Sequence, residues 1–97
     1  MSDSNRKVTI GGLTFDRVRY DADADVLYLH IGDPSSAVDF DESPEGHHLR
    51  FDAEGRVVGV TLVGVRRDLE EGRTLSVTVP ELIKVDPSVI RDALAAA

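Results

Sequence analysis

HLRFDAEGRVVGVTLVGV, from His48 to Val65, is two apolar runs joined by Asp52-Ala53-Glu54-Gly55. Leu49 and Phe51 alternate with Arg50 and Asp52 on the incoming arm, whereas Val57, Val58, Val60, Leu62, Val63 and Val65 crowd both faces of the outgoing arm. Alternation marks a strand with one wet face, and a β-branched apolar run marks a strand covered on both. The stretch therefore predicts a hairpin whose outgoing arm is a central strand. Its second face should be covered by a helix after Asp86 or by another subunit. Gly59 and Gly64 are where a bulge is expected, because glycine inside a strand pattern marks a bulge or a close backbone approach.

Upstream, VLYLHI from Val26 to Ile31 reads as a strand. Leu27, Leu29 and Ile31 share a purely aliphatic face that should meet the core, with Val26, Tyr28 and His30 on the other. Before it, Asp21-Ala22-Asp23-Ala24-Asp25 is a break, since aspartate is poor in strands and bonds readily to nearby backbone amides. Earlier still, Lys7–Ile10 and Leu13–Phe15 flank Gly11-Gly12, a pair that supplies the positive φ angles of a two-residue hairpin turn. The second arm is expected to run on through Val18 and Tyr20, and Met1 to Arg6 to fray. Between the two central strands, Gly32 to Ser36 is turn chemistry. Val38 to Glu42 reads as a short edge strand with Val38 and Phe40 inward and its acids outward, where charge discourages pairing with other chains. Ser43-Pro44-Glu45-Gly46 is a further turn.

Downstream, Arg66 to Gly72 suits a helical turn or a polar loop closed by glycine. Thr74 to Val79 alternates as a last strand with Leu75, Val77 and Val79 on one face, and Pro80 to Val85 is expected to form a turn of helix. Asp86-Pro87 is a helix start: aspartate accepts from the first exposed amides, and proline loses nothing at the first helical position. Val89, Ile90 and Leu94 then form an apolar stripe. Residues 7–97 are thus expected to be a single α+β domain, a mostly antiparallel sheet of about five or six strands with a C-terminal helix.

At 97 residues, one core hiding roughly 60–65% of the unfolded surface is the expectation. The chain has no cysteine, which removes disulfides and thiolate metal sites and fits a reducing compartment. No apolar run reaches the roughly 18 residues of a membrane span, and MSDSNRK has no apolar export segment. A cytoplasmic protein is expected. Eighteen acids against 11 bases give a formal charge of −7, a field that disfavours direct binding to nucleic acid. Arg17, Arg19, Arg66, Arg67 and Arg73 could still gather on one side. The acidic excess otherwise reads as an ordinary soluble surface, or as complementary to a basic protein partner.

Few constellations carry chemistry. The DADAD stretch starts like a calcium loop, but counting from Asp21 places Val26 where a glycine must turn and Gly32 where a bidentate glutamate belongs. A capped turn is the better reading. His30, His47 and His48 lack the i, i+4 spacing of a helical zinc motif, and His47 and His48 would point to opposite faces of a strand. His30 with one of them and an acid such as Asp41 could meet across strands. There is no nucleophile elbow or phosphate loop. No catalytic, metal or cofactor site is assigned.

The segment from Tyr20 to Arg67 resembles a small prokaryotic family recorded as domain of unknown function 2283. The resemblance rests on YDADADVLYLHIG, with Tyr20, Asp21, Asp25, Leu27 and Tyr28, and on GHHLRFDAEGRVVGVTLVGVRR, with Asp52, Gly55, Val57 or Val58, and Gly59. It covers about half the chain, in the order of its elements, and does not extend past Thr74. It implies no reaction and no catalytic residues. Relatives encoded beside small toxin-like proteins imply an antitoxin or partner-binding role.

The leading expectation is a non-enzymatic protein-binding module, antitoxin-like, that meets a small basic toxin through Asp39, Asp41, Glu42 and Glu45. A homo-oligomerising structural domain, such as a homodimer covering the strand Val57 to Val65, is the alternative. A metal-assisted hydrolase using His30, His47 or His48 is the third reading.

Overall fold

A computed structural model describes residues 7–78 and 82–96 of the chain. β1 (Val8–Ile10) and β2 (Leu13–Phe15) form one ladder. β3 (Arg17–Asp21), β4 (Val26–His30), β5 (Asp39–Glu42), β6 (His48–Phe51) and β7 (Val57–Val63) form an antiparallel sheet in the order β3-β4-β7-β6-β5. α1 (Val65–Glu70) follows β7, β8 (Leu75–Thr78) pairs with β9 (Leu82–Val85), and α2 (Pro87–Ala96) closes the described chain. The architecture is α+β, as the hydrophobic periodicity predicts. None of the described helices is long and apolar enough to cross a membrane.

β7 is the central strand. Its neighbours are β4, with Leu29 opposite Val60 and Leu27 opposite Leu62, and β6, with Leu49 opposite Val60. The ladder between β6 and β7 slips between Arg50 and Phe51, so that Arg50 faces Gly59 but Phe51 faces Val57. This bulge lies beside Gly59, one of the two expected places, and it resolves the crowding of the outgoing arm. An extra residue flips the side-chain parity, so Val57 joins Val60 and Leu62 on the inner face with Leu49 and Phe51. Gly64 is instead the residue that ends the strand. With φ +77 it turns the chain into α1, and Val65, expected in the strand, is the first helical residue and fully buried.

One face of the five-stranded sheet is covered. Leu27, Leu29, Leu49, Val60 and Leu62 pack with Phe15, Val8 and Ile10 of the first ladder, Leu75, Val77 and Val85 of the last, and Ile90 and Ala93 of α2. Asp86 starts α2 as expected, accepting the Ser88 N–H at 2.9 Å, and Val89 and Leu94 border the same core.

Several expectations are corrected. β2 and β3 are not one arm: the chain breaks at Asp16, whose carboxylate accepts the Gly32 N–H at 2.8 Å, and β3 joins the other sheet. The segment Pro80 to Val85 is not a helical turn in its described part, because Leu82–Val85 pairs as β9 with Leu75–Thr78. Arg66 to Gly72, left open between helix and loop, opens as helix. Val38 and Phe40 do not point inward; they are 61% and 62% exposed. Alternation alone cannot say which side of an edge strand is covered. Residues 1–6, expected to fray, and Val79, Pro80 and Glu81 lie outside the described residues.

Candidate functional site

The second face of the five-stranded sheet is open, and register places its side chains in rows. Arg17, His30, Gly59, Arg50 and Phe40 form one row, and Arg19, Tyr28, Thr61, His48 and Glu42 the next. Asp21, Val26 and Val63 make a shorter third. None of these residues belongs to the core cluster. The first two rows hold three guanidiniums and one carboxylate, on a chain whose overall charge is −7. The grouping foreseen for Arg17 and Arg19 is therefore real, although the arginine that joins them is Arg50.

Two of the guanidiniums are oriented by aromatic rings. Arg19 lies 4.3 Å from the centroid of Tyr28 and Arg50 5.4 Å from that of Phe40, the geometry in which a ring face attracts a cation. Among the described residues, the ion pairs within 4.0 Å involve Arg56, Arg67 and Arg73, so Arg17, Arg19 and Arg50 make no direct carboxylate contact, although Asp16 and Asp33 lie within electrostatic reach of Arg17. Two hollows open on this face. One of about 300 Å³ is lined by Val26, Tyr28, Phe40, His48 and Val63 among others. The other, about 220 Å³, is lined by Arg19, Tyr28, Leu29, His30, Pro34, Arg50 and Thr61.

Gly59 lets two of the lining side chains, His30 and Arg50, approach each other over the sheet. A Cβ there would stand 3.0 Å from His30 Cδ2 and 3.1 Å from Arg50 Cβ, so the imidazole and the arginine stem occupy the space that any other residue would fill. His30 is 9% exposed, and neither ring nitrogen has a hydrogen-bond partner among the described residues. Leaving a buried polar group unpaired costs about 1–3 kcal/mol.

The other histidines have different environments. His47 faces inward, 5% exposed, and its Nδ1 accepts the Val63 N–H at 3.1 Å, ending the β6-β7 ladder. Burial pushes its imidazole below the usual histidine range, against the nearby carboxylates of Glu45 and Asp68. His48 lies on the open face. His47 therefore stands across the sheet from His30 and His48. Among the described residues, no group of three or more His, Asp or Glu side chains is placed to share a metal ion.

The four expected interface acids do not form one patch. Asp39 and Asp41 stand on the inner side of the edge strand β5, each accepting the next residue's N–H, at 3.0 and 2.8 Å. Glu42 is on the open side. Glu45 is engaged within the molecule: its carboxylate accepts the Thr78 N–H at 3.0 Å and the Thr78 hydroxyl at 2.8 Å.

The DADAD segment is a structural joint. Asp21 accepts the Asp23 and Ala24 amides, the capped turn that was expected. Asp25, in the left-handed region at φ +56, accepts the Arg66 N–H at 2.9 Å and the Arg67 N–H at 3.1 Å, and the Tyr20 hydroxyl donates to it at 2.7 Å. It thus caps α1 from 41 positions away in sequence. Burial would raise its carboxyl, but the bonds from Tyr20, Arg66 and Arg67 hold it below the usual range. Sequence reasoning missed this cap because its helix lies on another part of the chain.

A family described as Protein of unknown function (DUF2283) matches residues 17–66. The match takes in β3 through the start of α1, just over half the chain, and the protein belongs to that family. The joint made by Tyr20, Asp25 and Arg66, the central hairpin and the open-face rows all fall within the matched segment. No curated protein and no solved structure matches the chain.

Proposed function

We propose that the protein is a non-enzymatic binding module that receives a segment of a partner protein across the open face of its five-stranded sheet. The observation that carries this reading is the uncovered face itself, with Phe40 62% and Val63 37% exposed in the lining of the 300 Å³ hollow. Exposed apolar residues gathered on one face, with polar residues around them, mark interaction surfaces. The other face of the sheet carries the core. The antitoxin-like reading places a small basic toxin at the β5 edge, where Glu42 on the open side and Asp39 and Asp41 on the inner side flank the strand, with its apolar side chains reaching Phe40.

A second reading, self-association, is favoured by the charge layout. The central rows are basic and the β5 edge is acidic, so two copies related by a twofold axis would bring unlike charges together. One set of measurements separates the two. Tagged protein from its native host should retain a specific partner, and Phe40→Ala should release it without unfolding the domain. Sedimentation at micromolar concentration should give a monomer; a dimer abolished by Phe40→Ala establishes the second reading instead. Loss of neither partner nor dimer on Phe40→Ala removes the open face from both.

A further inference from the structure

We infer that the hollow lined by Arg19, His30 and Arg50 is a binding site for a single oxyanion, a carboxylate or a phosphate, held by the two guanidiniums beside the His30 ring. The open face as a recognition surface is the reading on which this rests for what delivers the anion; the pocket itself stands on its own geometry. At about 220 Å³ it is smaller than the roughly 300–1,000 Å³ of drug-sized ligand sites, which suits one group and not an extended molecule. Its lining contains two guanidiniums and no carboxylate, and neither guanidinium is spent on an ion pair with the described residues.

The arginines are also prepared for the task. Stacking on Tyr28 and Phe40 restrains each guanidinium while leaving its N–H edges free, and planar N–H pairs match the oxygens of carboxylate or phosphate in a bidentate fashion. His30 supplies the independent pointer: its ring is nine-tenths buried, borders the hollow and has no partner for either nitrogen. Both nitrogens are closed to solvent in this structure, so an oxyanion in the hollow gives the imidazole N–H an acceptor once the ring turns toward it. Arg17 flanks His30 from the neighbouring strand and adds to the local positive field. Asp33, in the loop after β4, accepts the Ser35 N–H at 2.9 Å, and its charge, within reach of Arg17 and His30, offsets part of that field, which leaves Arg19 and Arg50 as the anion's main partners. The chain's net charge of −7 opposes a polyanion, so a lone oxyanion is the ligand that the charges select.

The test is an amide NMR titration of the full chain with inorganic phosphate and, separately, with acetate, at ionic strength held constant with sodium chloride. The site predicts saturable shifts centred on His30, Arg50, Gly59 and Thr61. Saturation by phosphate alone assigns a phosphoryl group, and saturation by acetate as well assigns a carboxylate; chloride produces neither. Arg50→Gln and Arg19→Gln should each weaken binding at least fivefold. Arg73→Gln, at a residue paired with Glu71, should leave it unchanged. Arg19 is exposed, so its variant keeps the measurement valid if Arg50→Gln loses its dispersed spectrum. Shifts that rise without saturating, that chloride reproduces, or that persist undiminished in Arg19→Gln overturn the site. A protein that retains its partner yet binds neither anion refutes this inference alone, and one that saturates with anion but captures nothing refutes only the partner reading.

Discussion

Asp25 links the early turn to α1 through one carboxylate that accepts three hydrogen bonds. Removing the charge with Asp25→Asn should cost about 1 kcal/mol at pH 7, the usual scale of a lost helix cap. Because its folded-state pKa lies below the unfolded value, the unfolded chain takes up the proton first. Its stabilisation is therefore complete above about pH 4 and is lost as pH falls through the folded value. Urea denaturation of wild type and Asp25→Asn should show a gap at pH 7 that closes toward pH 2.5. His47 also has a lowered folded-state pKa, so its contribution is present above the unfolded value near 6.5 and fades as pH drops below it. His47→Leu should lose about 1–3 kcal/mol at neutral pH by stranding the Val63 amide, and its stability should vary less than wild type between pH 6.5 and 5. A steeper slope in the variant would contradict the assigned environment.

At the scale of elements, β7 is where close packing and the proposed anion site meet, at Gly59. Gly59→Val places new atoms against the His30 ring and the Arg50 stem, and overpacking of this kind costs about 1–3 kcal/mol. Chemical denaturation measures that cost, and the same variant should lose the saturable anion shifts. Phe40 and Phe15 offer the contrast between the two sides of the sheet. Phe15 is fully buried, so Phe15→Ala should cost about 3–5 kcal/mol. Phe40→Ala should change stability by no more than about 0.5 kcal/mol, with its effect confined to binding. The periodicity of Leu27, Leu29, Leu49, Val60 and Leu62 made the inner face legible from the chain alone. Phe40 departs from the expected inward orientation because an apolar residue alternating with acids looks the same on a covered face and on an open one.

For the whole molecule, the charge distribution matters more than the total. A net −7 suggests uniform repulsion of anions, but register gathers Arg17, Arg19 and Arg50 on one face with Glu42 at its margin. Association through this face should weaken as salt rises, since exposed charges are screened over about 10 Å at 0.1 M and about 3 Å at 1 M. Measuring partner affinity or the monomer–dimer constant at 50 and 500 mM sodium chloride checks this. Affinity unaffected by salt would place the contact on apolar surface alone.

The sequence by itself determined the α+β class, the hairpin around Asp52 to Gly55, the central place of Val57 to Val63 and the helix start at Asp86. All of these follow from local chemistry: side-chain period, turn residues and capping groups within a few positions of one another. Tertiary structure alone decided which face of the sheet is covered, the capping of α1 by Asp25, the attachment of Glu45 to Thr78 and the row that brings Arg17, His30, Gly59 and Arg50 together. Each of these depends on which strands become neighbours and in what register. A hydrophobic period shows that a strand has two faces, but the packing of the remaining chain decides which one stays open.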